Sequence, residues 1–173
     1  MIRGHFVHQG VRYPATLRLI HQTGSLIGCA LDGAEASQIR EMVKKYFEIE
    51  LSAENMVEVD PLFLPEEQDG RPRRFCGRDG FELFLVENAA EQVVYFYVSF
   101  MGNFLEFGRG VTLRFGNRVK EDTPGSFRHK SSEFIRFFSK VPPEGLEMAV
   151  RLVESIEGLE QKTRQQVLGK LKN

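Results

Sequence analysis

The sequence predicts an α+β protein with two antiparallel β regions, the first barrel-like and the second a meander with C-terminal helices. Three observations predict it. Residues 11–20 alternate apolar and polar with period two. Between 81 and 115, aromatic and β-branched runs are cut by turn residues about every 8–12 positions. After Pro142-Pro143 the apolar spacing changes to that of helices.

The elements follow in order. Val11, Tyr13, Ala15, Leu17 and Leu19 alternate with Arg12, Pro14, Thr16 and Arg18, the pattern of a strand that buries the first set. Gln9-Gly10 reads as a turn from a short strand near His5–His8, and Thr23-Gly24-Ser25 as a turn into a strand at Leu26–Leu31. Asp32 and Glu35 resemble a capping box opening a helix. In that helix Ile39, Met42, Val43, Tyr46 and Phe47 are expected to form one buried stripe. Residues 57–74 are broken by Pro61, Pro65, Gly70 and Pro72, and read as a connector between parts 1–56 and 75–173. Strands are expected at Phe81–Val86, Val93–Phe100, Phe104–Phe107 and Val111–Phe115. The turns fall at Asn88–Glu91, Met101–Asn103 and Gly108–Gly110. Three helices are expected at Ser131–Lys140, Glu144–Ile156 and Glu160–Leu171. Phe134, with Phe137 or Phe138, should dock the first of them onto the second sheet.

Composition bounds the function. With 42% hydrophobic and 27% charged residues and a net charge of −1, nothing global points to DNA, RNA or an anionic membrane. The apolar supply is 15 Phe and 4 Tyr with no Trp, so the core should rest on phenylalanine rings. The first 20 residues carry Arg3, His5, His8, Arg12 and Arg18, which leaves no apolar leader core, and no run of 18 apolar residues exists. Cys29 and Cys76 stand apart and read as free thiols of a reducing cytoplasm.

The search for chemistry favours binding over catalysis. No nucleophile motif such as GxSxG is present. His5 and His8 fall on opposite faces of a strand, and His21 and His129 are isolated, so no metal site is expected. No cofactor is expected either. One cluster stands out: Arg71, Arg73 and Arg74, with Arg78 close behind. Planar guanidinium forks suit phosphate and guanine edges. The same arginines would also serve by pairing with Glu66, Glu67 and Asp69 just before them. As loop charges they would contribute about 0–1 kcal/mol to stability.

Residues 13–20 (YPATLRLI), 24–31 (GSLIGCAL) and the helix from Ala36 to Phe47 resemble part of a PilZ domain. That family is a small β-barrel with an appended helix, and many members bind cyclic di-GMP. The segment from Phe75-Cys76-Gly77 to residues 102–107 (GNFLEF) is similar to an extension on atypical PilZ-like proteins of bacteria. The resemblance implies a bacterial signalling module, with Ser25 and Gly28 joining Arg71, Arg73, Arg74 and Arg78 as ligand-binding residues. The family's RxxxR stretch is broken here, since Val7 follows Arg3 by four, and Thr23 stands where [D/N]xSxxG needs an acid or amide. The expected module is therefore degenerate and works through a protein partner or a homo-oligomer. The alternative is an adaptor that uses a Phe-rich sheet or the C-terminal helices as an oligomer interface, with no small ligand.

Overall fold

The structure, a computed structural model, describes residues 2–8, 11–23, 26–33, 35–120 and 133–172. The chain divides into two compact units, Met1–Glu48 and Ile49–Asn173. The division falls inside one helix, α1 (Ala36–Glu54), eight residues before the expected end of the first part at residue 56.

In the first unit β1 (Ile2–His8), β2 (Val11–Thr23) and β3 (Leu26–Asp32) form an antiparallel sheet in the order β1-β2-β3. The barrel expected for this region is not closed among the described residues. The alternation of β2 holds as strand but not as burial. Arg12 and Arg18 are exposed, yet so are Val11 at 51% and Leu17 at 42%, while Tyr13 and Ala15 are half-buried. A sheet of three strands has few neighbours to cover an apolar face. Asp32 is engaged by the neighbouring strand. Its carboxylate accepts a hydrogen bond from Arg18 Nε at 3.0 Å, and the first turn closes through Ala36 N–H to the Gly33 carbonyl. The helix buries Ala36, Ile39, Ile49 and Ala53, with Met42 and Tyr46 half-buried, and exposes Val43 and Phe47. Its inner stripe is thus narrower than the expected one.

The second unit is a seven-stranded antiparallel sheet in the order β10-β9-β8-β7-β6-β5-β4. Its strands are β4 (Val57–Glu58), β5 (Arg71–Cys76), β6 (Glu82–Glu87), β7 (Val93–Phe100), β8 (Asn103–Gly108), β9 (Val111–Lys120) and β10 (Glu133–Phe137). The expected connector is therefore part of the sheet: it supplies β4, a 3-10 turn at Pro61–Phe63 and most of β5. The expected helix at 131–140 is replaced by β10, while residues 121–132 lie outside the described ones. Four phenylalanine and isoleucine side chains in five residues suit a pleated edge as well as a helix face, and pairing with β9 decides between them. Only part of the expected docking occurs. Phe137 meets Phe104 and Phe138 meets Phe115, but Phe134 is 54% exposed.

The meander turns are those the sequence announces. β7 and β8 are joined by Met101-Gly102 with φ of 49° and 75°, and β8 and β9 by Arg109-Gly110 with φ of 53° and 83°. Two left-handed residues match the right-handed twist of a tight hairpin. In the β6–β7 turn, Asn88 Oδ1 accepts from the N–H of Ala90 and of Gln92, both at 3.0 Å.

Strand alternation sorts the sheet into two faces. One carries Phe75, Leu83, Leu85, Phe96, Val98, Phe100, Leu105 and Phe115, all buried. Against it lie α2 (Pro143–Ser155) and α3 (Gln161–Leu171), which bury Met148, Ala149, Leu152, Val153, Val167 and Leu171. The other face carries a row of rings across the strands. Phe84 and Tyr97 stack at 5.2 Å, Tyr97 and Phe104 at 5.0 Å, and Phe104 meets Phe137 at 6.3 Å. The phenylalanine-based core expected from composition is present. Among the described residues no helix is long and apolar enough to cross a membrane, and Cys76 is a free thiol.

Helix α2 lies so close to the sheet that a Cβ on Gly145 would meet the Phe115 ring at 2.5 Å, whereas one on Gly169 of α3 would meet nothing within 4 Å. Gly145→Ala should therefore destabilise by about 1–3 kcal/mol through overpacking. Gly169→Ala should stabilise by about 0.5–1 kcal/mol through the lost freedom of the unfolded chain. Urea unfolding of the two variants checks the opposite signs.

Candidate functional site

The period of a strand separates the arginine cluster. On β5, Arg71, Arg73 and Phe75 face the helices, and Arg74 faces the ring row. Arg78 lies beyond the strand end, exposed in a 3-10 turn. The structure thus brings Arg71 and Arg73 together but not Arg74 or Arg78. Ser25 lies outside the described residues. Gly28 is in the first unit, on β3, opposite His21.

Arg73 is 5% exposed and is held by carboxylates. Its Nε and Nη2 donate to the two oxygens of Glu58 at 2.6 and 3.0 Å, a two-pronged pair. Its Nη1 donates to Glu160, the residue preceding α3, and lies 3.7 Å from Glu87. Glu87 is buried and accepts from Thr163 Oγ1 at 2.8 Å. The hydrogen bond to Glu58 is the chief reason that the Arg73 guanidinium holds its proton more tightly than usual, with burial opposing. The bond from Arg73 likewise holds the Glu160 carboxyl below its usual 4.5.

On the opposite face Arg74 Nε lies 2.7 Å from Glu82 Oε1, but its N–H is not aimed at that oxygen, so the contact is an ion pair without a hydrogen bond. Tyr97 donates its phenol proton to the same oxygen at 2.5 Å. Burial, then the Glu82 contact, pushes the Tyr97 phenol well above its usual 10.0. Arg114 pairs with Glu106 and lies 3.9 Å over the Phe137 ring. The acidic stretch at 66–69 is engaged by a different arginine. Arg109 pairs with Glu67, approaches Asp69 at 3.9 Å and covers the Tyr95 ring at 4.2 Å.

Arg71 and Arg73 line a cavity of about 410 Å³ with Glu87, Asn88, Glu91, Glu160, Lys162 and Thr163. Three cationic side chains face three acidic ones, so the cavity has no net formal charge. A second depression of about 720 Å³ runs between the β6–β7 turn and α3, lined in part by Val94, Gln166 and Lys170. The two share Glu91 and Lys162, which pair at 2.5 Å in solvent. In the larger one, Gln166 bonds the backbone at Val93 and Glu91, fixing α3 to the turn. Lys162, Thr163 and Glu160 have no sequence signal as site residues; their helix spacing alone puts them beside β5. Among the described residues no group of histidine, cysteine or acidic side chains could hold a metal ion. No protein-family model, no curated protein and no solved structure matches the chain.

The burial of Arg73 reverses the expectation that it is a loop charge of little structural weight. Arg73→Ala should destabilise by about 3 kcal/mol, because it leaves the buried Glu87 carboxylate without its cation. Arg78→Ala should stay within about 0.5 kcal/mol. Because Glu160 is depressed in the folded state, its contribution is fully present above pH 4.5 and is lost as pH falls through the lowered value. The difference in unfolding midpoint between wild type and Glu160→Gln should shrink over that range.

Tyr97 supplies a second test. Its neutral form is favoured by folding, so tyrosinate absorbance in the wild type should include a component that rises only beyond pH 10.0. That component should be reduced in Tyr97→Phe.

Proposed function

We propose that the chain is a non-catalytic, PilZ-like binding module whose dinucleotide-reading residues are degenerate and which relays through protein contacts. The observation that carries this reading is the engagement of Arg73 by Glu58, Glu87 and Glu160. A cyclic dinucleotide needs guanidinium forks that are free to turn toward phosphate and guanine. The Arg73 fork is occupied within the fold, and Arg74 lies beside Glu82 on the other side of the sheet. An anion entering the cavity would have to displace carboxylates from a buried cation, at a desolvation cost.

Two further observations support the reading. The buried acids Glu82, Glu87 and Glu106 each accept a hydrogen bond inside the fold, which suits structural carboxylates better than general acids or bases. The antiparallel β1–β3 sheet followed by an amphipathic helix is the element order that the PilZ resemblance implies.

Calorimetric titration with cyclic di-GMP tests the proposal. Wild-type protein at micromolar concentration should give no saturable heat. A micromolar or tighter isotherm that Arg71→Ala abolishes would overturn the proposal in favour of ligand sensing at the cavity.

A further inference from the structure

The two edges of the seven-stranded sheet are unequal. Edge strand β4 is two residues long and leads through Val59 and Asp60 into Pro61, which opens a 3-10 turn. Such an edge offers little to a further strand. Edge strand β10 spans Glu133–Phe137, has no proline, and pairs with β9 without a bulge. Among the described residues no strand lies beyond it. It exposes Phe134 at 54% and Phe137 at 36%.

The hydrogen-bond phase shows which groups are offered. Phe138 N–H donates to the Phe115 carbonyl at 2.8 Å, and on the far side of β9 Arg118 N–H donates to Gly102. In an antiparallel ladder the bonded residues alternate. With Phe137 opposite Gly116, the even-numbered residues Phe134 and Arg136 bond to β9. The N–H and C=O groups of Glu133, Ile135 and Phe137 then point to the open edge.

We infer that β10 is the interface of a homodimer, in which the β10 strands of two copies pair antiparallel about a two-fold axis at Ile135. This inference stands whether or not a cyclic dinucleotide binds. A two-fold axis normal to the sheet keeps each face on its own side, so only residues of equal parity meet. Pairing Ile135 with Ile135 of a second copy sets Glu133 against Phe137 and Phe134 against Arg136. All three outward residues then exchange both backbone bonds, about six across the interface. Each exposed Phe134 ring receives the guanidinium of Arg136 from the other copy. Sliding the strands by one pair of residues sets Arg136 against Arg136, or leaves Arg136 without a ring. The strand is thus complementary to itself in one register, which identifies a second copy as its occupant.

Sedimentation of the full chain at micromolar concentration tests this. The wild type should sediment at twice the 19.8 kDa mass of one chain. Ile135→Pro removes an outward N–H and no bond to β9, so it should sediment as a monomer with an unchanged circular dichroism spectrum. If that variant fails to fold, cross-linking decides. Oxidised Ile135→Cys should run as a covalent dimer on a non-reducing gel, and Phe134→Cys should not, because only position 135 meets itself. A monomeric wild type, a dimer untouched by Ile135→Pro in a folded protein, or equal cross-linking from both positions would overturn the inference.

Discussion

One guanidinium ties together four parts of the larger unit. Arg73 on β5 reaches Glu58 on β4, Glu87 on β6 and Glu160 at the entrance to α3. The cluster adds little net stability over an apolar one of the same shape, because two buried charges give up most of their hydration. Its effect is on arrangement. A slip of β5 by one residue would turn Arg73 to the ring face and bring Arg74 or Pro72 under the helices, leaving Glu87 without a cation. The strand register, the seat of α3 and the shape of the adjoining cavity all follow from that constraint.

The two faces of the sheet solve different problems with the same residue type. Under the helices, Phe75, Phe96 and Phe100 are fully buried among Leu83, Leu85 and Leu105 and need no polar partner. On the other face the rings alternate with acidic and basic residues. Glu82 accepts a hydrogen bond from the Tyr97 phenol and Glu106 one from the Tyr95 phenol, and each carboxylate also faces an arginine. Phenols and guanidinium planes present both an apolar surface and a donor, so they can bury carboxylates beside rings without leaving an acceptor unpaired.

Much of the larger unit was legible in the sequence. The strands at 81–115 and the helices after Pro143 were marked by period, composition and turn chemistry, which are local properties. The stretch 57–74 was not legible, because β4 has two residues and β5 carries three arginines and a proline; neither shows alternation. β5 is a strand through its pairing with β6, and β4 through its pairing with β5. The β10 segment carries a helical pattern for a related reason. Its phenylalanines at 134, 137 and 138 satisfy helical spacing, and only the presence of β9 beside it makes it a strand. The candidate site was half legible. The arginines were visible as a cluster, but the carboxylates that engage Arg73 lie 15 and 87 positions away.

The sequence by itself determined the α+β class, the phenylalanine-based core and the tight hairpins at Met101-Gly102 and Arg109-Gly110. Each of these depends on residues within one turn or strand length of one another. Only the tertiary structure decided that Arg71 and Arg73 part from Arg74, that Arg109 takes the acidic stretch, and that β10 is an edge strand. Those outcomes depend on which strand lies beside which, and backbone hydrogen bonds between distant segments leave no local pattern to read.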